Sequence, residues 1–173
     1  MITRNPDQRV AVLVDIQNLY YSAKNLYRCR VNFKNLLDLI RQDRKLTRAI
    51  AYVVDTQDET NADFIEALNT SGFDIRKKQV QTFVDGSKKG DWDVGIAMDA
   101  IRLGQKVDSI VLVTGDGDFV PVVNFLQQSL GCLVEVMAFG KSTNQELRDL
   151  ADDFVDIEQY KKELLFSSRK SRK

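Results

Sequence analysis

Aspartates recur at three places in this chain where a carboxylate can do chemistry. Asp15 ends the run Val10-Ala-Val-Leu-Val, Asp91 and Asp93 head an apolar periodic stretch, and Asp116 and Asp118 lie in Thr114-Gly-Asp-Gly-Asp. Carboxylates held within a few ångströms repel one another, and a cation or a proton relieves the repulsion. The chain has no histidine, which removes both the commonest general base and the commonest transition-metal ligand. Ser-His-Asp and Cys-His hydrolases are thereby excluded, as are His-ligated zinc centres. Oxygen-only donors of this kind favour Mg2+ or Mn2+.

Each of these residues also has a plainer reading. Thr114-Gly-Asp-Gly-Asp taken alone is a turn with Asp118 capping the next helix; joined to Asp15 and Asp93 it becomes a ligand loop. Gly115 and Gly117 are expected to adopt positive φ and so point both aspartates at one ion. Asp91 reads as a cap and Asp93 as the residue that reaches the cluster. Asp99, six residues on, has Arg102 as an ion-pair partner and stands second in rank. Asn18 either hydrogen-bonds a bound water, a phosphate or Asp15 itself, or caps its helix. Lys88 and Lys89 either meet a polyanion's phosphates or are ordinary exposed loop lysines, and of Tyr20, Tyr21 and Tyr27, near Lys24, Arg28 and Arg30, at least two read as core or plain surface and the remainder as a face for a base.

The elements that must place these groups follow from periodicity. Val10–Ile16, Ala49–Val54, Ser109–Thr114 and Leu133–Ala138 are short apolar strands, with weaker strands over 74–83 and 154–157. Between them lie helices near 17–27, 33–41, 60–71, 91–103, 119–130 and 144–151, the fourth with Val94, Ala97, Met98 and Ile101 on one face. Strands alternating with helices predict a three-layer, Rossmann-like α/β domain with a mostly parallel sheet of five or six strands. Such sheets take ligands beyond their C-terminal strand ends, where strand order reverses. If the first and fourth strongly apolar strands are neighbours, Asp15, Asp116 and Asp118 converge.

Size and charge fit that picture. The chain has 173 residues, 43% hydrophobic and 29% charged, with 25 basic and 25 acidic side chains. One globular domain is expected, preceded by an extension over 1–8 and followed by a basic tail over 161–173, its last eight residues disordered. Residues 1–48 hold ten basic side chains against four acidic, whereas Asp85–Asp118 holds seven aspartates against four basic residues. Acid bordered by base suits a metal ion working on a polyanion. No apolar run approaches the roughly 18–20 residues of a membrane span. Cys29 and Cys132 lack metal-site spacing and read as inert thiols. Together with the polar start, this predicts a cytoplasmic protein.

Three ordered segments carry a resemblance: Val-Asp-Ile-Gln-Asn (14–18), Lys-Lys-Gly-Asp-Trp-Asp-Val-Gly-Ile-Ala-Met-Asp (88–99) and Thr-Gly-Asp-Gly-Asp-Phe (114–119). They resemble the NYN domain, and within it the LabA-like group, over residues 9–158. NYN domains are similar to PIN nucleases, which cut RNA with an acidic cluster and Mg2+ or Mn2+. The resemblance implies that Asp15, Asp93, Asp116 and Asp118 bind metal and catalyse, with Asn18, Lys88, Lys89, Asp99, Thr114, Ser142 and Asn144 in support. It implies single-stranded RNA as partner and leaves open a homodimer or a regulatory protein partner. Trp92 widens the family's glycine-to-aspartate spacing, and the Asp-x5-Asp interval to Asp99 favours Asp93 over Asp91. Two other readings stand beside it. One is a non-catalytic regulatory or RNA-binding adaptor on the same fold. The other is a haloacid-dehalogenase-type phosphatase, which Gln17 disfavours because it breaks the DxD pattern at Asp15.

Overall fold

A computed structural model describes residues 3–55, 62–82, 84 and 88–167. Its strands are β1 (Arg9–Asp15), β2 (Cys29–Val31), β3 (Lys45–Asp55), β4 (Asp74–Gln79), β5 (Gln81–Thr82), β6 (Lys88–Lys89), β7 (Ser109–Val113), β8 (Leu133–Ala138), β9 (Asp153–Asp156) and β10 (Leu165–Ser167). The helices are α1 (Ile16–Tyr27), α2 (Phe33–Arg41), α3 (Ala62–Thr70), α4 (Asp93–Gly104), α5 (Val120–Leu130), α6 (Gln145–Leu150) and α7 (Lys161–Leu164). Six strands form the central sheet in the order β4-β3-β1-β7-β8-β9, every pair parallel. The chain leaves β1 towards β3 on one side and returns to β7 on the other, so the reversal point lies between β1 and β7. That is the adjacency the acidic strand ends require.

Alternation along β1 separates two cores. Val10, Val12 and Val14 pack with α1, α2 and α3 on one face, while Ala11 and Leu13 pack with α4, α5 and α6 on the other. All five are essentially inaccessible to water. No helix among the described residues is long and apolar enough to cross a membrane.

Four details differ from the sequence expectations. The face α4 buries is Ile96, Ala100 and Leu103, leaving Val94 75% and Met98 62% exposed. The helix is apolar almost all round, so periodicity alone does not choose a face. Close approach to α5 selects the face that carries Gly104, where a Cβ would stand 2.6 Å from Leu126. The stretch 74–83 divides into β4 and β5, the latter pairing antiparallel with β6. Lys45–Thr47 join β3 ahead of its apolar part, with a register shift opposite Val10 and Ala11. Finally, part of the predicted disordered end is ordered, because Leu165–Ser167 pairs antiparallel with β2. Residues 168–173, the end of the basic tail, lie outside the described residues, as do Thr60 and Asn61 before α3. At the N-terminus Arg4 meets Glu135 at 2.8 Å and Asp153 at 2.9 Å, tying the predicted extension to the sheet.

The outer edges of the sheet are β4 and β9. Strand β4 carries Arg76, Lys77 and Lys78 in succession, all exposed.

Candidate metal centre

Asp15 closes β1 and caps α1 in one step. Its backbone is extended (φ −76°, ψ 93°) and its Oδ1 accepts the Asn18 N–H at 3.1 Å. Its Oδ2 accepts the Thr114 hydroxyl at 3.4 Å, across from β1 to the residue that follows β7. Thr114 is buried, and its oxygen accepts the Asp116 N–H at 3.3 Å. Asn18 meets Asp15, one of the partners expected for it, through its backbone N–H. Its side-chain oxygen accepts the Gly115 N–H at 3.0 Å, clasping the acidic loop to α1.

The loop itself corrects two expectations. Neither Gly115 nor Gly117 has positive φ; both are glycine because of close approach. A Cβ at Gly115 would lie 3.1 Å from the Ser142 carbonyl oxygen, and one at Gly117 only 2.6 Å from Nδ2 of Asn144. The Asn144 N–H in turn donates to the Gly115 carbonyl at 2.9 Å, and its side chain caps α6. The segment after β8 thus presses directly on the loop. The cap is also not Asp118: Asp116 accepts the Asp118 N–H at 3.0 Å over a 3-10 turn, Gly117–Phe119, that precedes α5. Asp118 is left exposed.

Opposite this loop, Asp93 opens α4. Trp92 fixes the approach. Its indole N–H donates to the Val53 carbonyl at 3.0 Å, its ring stands 5.5 Å from Tyr52, and Lys78 lies over it at 5.7 Å. The Lys78 ammonium also donates to the Asp91 carbonyl at 3.0 Å. The tryptophan that widened the sequence spacing is therefore an anchor. A unique tryptophan between two aspartates was the available signal.

Carboxylate oxygens of Asp93, Asp116 and Asp118 all lie within 4.8 Å of one another. None of the three has an ion-pair partner among the described residues. Asp15 stands behind this triad, outside it. Burial, assisted by the charges of Asp93 and Asp116, pushes its carboxyl up to about 6. Asp93 is likewise raised, first by burial and then by Asp116, Asp91 and Asp118. Hard oxygen donors this close and uncompensated fit a divalent cation.

Asp99 is not brought to this cluster. It accepts the Tyr52 hydroxyl at 2.7 Å and pairs with Arg102 at 2.7 Å. Burial opposes its charge, yet these two donors hold it below the usual carboxylate range. Lys88 and Lys89 form β6, which runs through Gly90 into the Asp91–Asp93 segment. Ser142 lies across the cleft mouth, its hydroxyl 3.0 Å from that of Ser22. The cleft has a volume of about 440 Å3 and is bounded by Asn18, Tyr21, Ser22 and Asn25 of α1 facing Asp93 and Asp116.

Comparison with known proteins agrees with this geometry. The NYN domain model matches residues 9–158. The chain is 28% identical over 163 residues to the low amplitude and bright protein LabA of Synechococcus elongatus, covering 86% of this chain and 83% of LabA. A crystal structure of a protein of unknown function, VPA0982 of Vibrio parahaemolyticus, superposes with a TM-score of 0.85 at 35% identity, covering 95% of this chain and all of that one. The acidic strand ends, the three-layer parallel fold and the matched span agree: the chain belongs to the NYN domain family.

Proposed function

We propose that this protein hydrolyses phosphodiester bonds in RNA, with Asp93, Asp116 and Asp118 holding a Mg2+ or Mn2+ ion and Asp15 supporting them. The observation that carries the reading is the triad of carboxylates within 4.8 Å, unpaired among the described residues. A divalent ion bound there supplies an acidified water and neutralises charge on the leaving oxygen, chemistry that dispenses with histidine. The chain's own groups hold that arrangement in place. Asn18 and Asn144 fix the Gly115 backbone from two sides. Thr114 links Asp15 to the Asp116 backbone. Tyr21 in the cleft wall suits a single strand whose bases are free to stack. We assign sequence-independent phosphate contacts to Lys88 and Lys89. Two free thiols, Cys29 and Cys132, accord with a cytoplasmic setting.

The test is incubation of labelled single-stranded RNA with the protein and Mn2+ or Mg2+, beside Asp116→Asn and a chelator control. Cleavage by the unaltered chain, lost in both controls, is the expected outcome. RNA binding without cleavage in any arm would overturn the hydrolase reading and leave an RNA-binding adaptor.

A further inference from the structure

A second cavity, of about 510 Å3, opens at the same end of the sheet on the other side of α1. Its floor is the end of β3 at Val53 and Val54, and its walls carry four aromatic rings: Tyr20, Phe33, Phe64 and Phe166. Phe33 and Phe64 meet edge to face at 5.7 Å, and the Lys24 ammonium sits 5.4 Å from the Tyr20 ring centre. Arg30 and Lys34 also line the cavity. Both are exposed, and among the described residues neither has an ion-pair partner. Gln17 lines both this cavity and the acidic cleft, so the two adjoin at the first turn of α1.

We infer that this cavity receives a nucleobase of the RNA strand whose phosphodiester lies in the acidic cleft. The inference rests on the hydrolase reading above. The lining combines what each alternative ligand would leave unused. An apolar molecule gives no partner to Arg30 and Lys34, and a simple anion has no use for four rings. A nucleotide uses both, its base on the aromatic faces and its phosphate at the cations. Asp63 and Gln17, also in the wall, offer an acceptor and an amide to the edge of the base. The position fits too, since open α/β sheets take ligands beyond their C-terminal strand ends. A base held here lets the site read the identity of one nucleotide, information that phosphate contacts do not carry.

Single-stranded RNAs carrying one 2-aminopurine, whose emission falls when it stacks, test this against the full chain in the Asp116→Asn background. Quenching is expected at one probe position. Phe166→Ala and Arg30→Gln are each expected to abolish that quenching and weaken RNA binding about tenfold, as loss of one stacked base does. Mn2+ affinity of the two substitutions in the otherwise unaltered chain should not change. Arg30 is exposed, so its variant carries the test even if Phe166→Ala fails to fold. RNA that is bound and cut by the unaltered chain, with every probe unquenched, overturns the base pocket and leaves the hydrolase standing. Absence of both RNA binding and metal-dependent cleavage in the unaltered chain overturns the hydrolase reading, and the pocket with it.

Discussion

The side-chain oxygen of Asn18 accepts the Gly115 N–H at 3.0 Å, so the helix leaving β1 grips the loop leaving β7. The contact bridges the two strands between which the sheet's direction of travel reverses. Asn18→Ala removes the clasp without touching a carboxylate. Mn2+ affinity is expected to fall about tenfold or more, as for loss of other groups that orient metal ligands. Calorimetric titration checks this, and an unchanged affinity would deny Asn18 its positioning role.

Gly117→Ala asks for space that is already taken. Its methyl would lie 2.6 Å from Asn144 Nδ2, and Asn144 is itself committed to capping α6. The expected cost is about 1–3 kcal/mol, read as a lower midpoint in thermal or denaturant unfolding. Pairing it with Asn144→Ala should recover part of the loss. If the single variant is as stable as the parent, the close-approach account fails.

Asp15 gives a pH dependence of stability with a definite sign. Burial, then neighbouring negative charge, raises its carboxyl to about 6, above its value of about 3.8 in the unfolded chain. The folded state therefore binds the proton more tightly. Its contribution to stability is full below about pH 4 and is lost as pH rises through about 6. In chelator, the unfolding midpoint is expected to fall between pH 5 and pH 7, and Asp15→Asn should flatten that slope. Added Mn2+ at pH 7 should restore stability by binding only the folded form. A metal-free midpoint that rises across this window would contradict the assignment.

Trp92→Phe keeps an aromatic ring but deletes the N–H that satisfies the Val53 carbonyl. The expected destabilisation is about 1–2 kcal/mol. Mn2+ binding should weaken as well, because Trp92 sets the entry of α4 and with it Asp93. Unfolding and metal titration of the same sample separate the two effects.

Much of this architecture was legible before any coordinates, for identifiable reasons. Val10–Asp15 and Ser109–Val113 are continuous apolar runs, which only a strand buried on both faces requires, and both lead into carboxylates. The expectation that Asp116 and Asp118 lie near Asp15 rests on those strand ends, whereas that for Asp93 rests on the family resemblance and its spacing to Asp99. What periodicity missed was decided by side-chain volume and by distant partners. α4 buries the side that holds Ala100 and Gly104, where α5 comes close, and leaves Val94 and Met98 outside. The glycines of the acidic loop answer to Asn144 and Ser142, far along the chain, and not to their own φ. Cys29–Val31 is too short to announce itself as a strand, and it becomes one by pairing with Leu165–Ser167. For Asp99 the Arg102 partner is visible at i+3, but only the packed structure shows Tyr52 claiming the other oxygen.

Among the described residues no strand lies on the outer side of β4, so its outward row of backbone donors and acceptors is the kind of template on which a second molecule can add its own strand. Arg76, Lys77 and Lys78 occupy that row consecutively. Two molecules laid margin to margin would set the same three cations against each other, a repulsion strongest at low ionic strength. The charge that this strand carries therefore opposes growth of the sheet by self-addition at that edge.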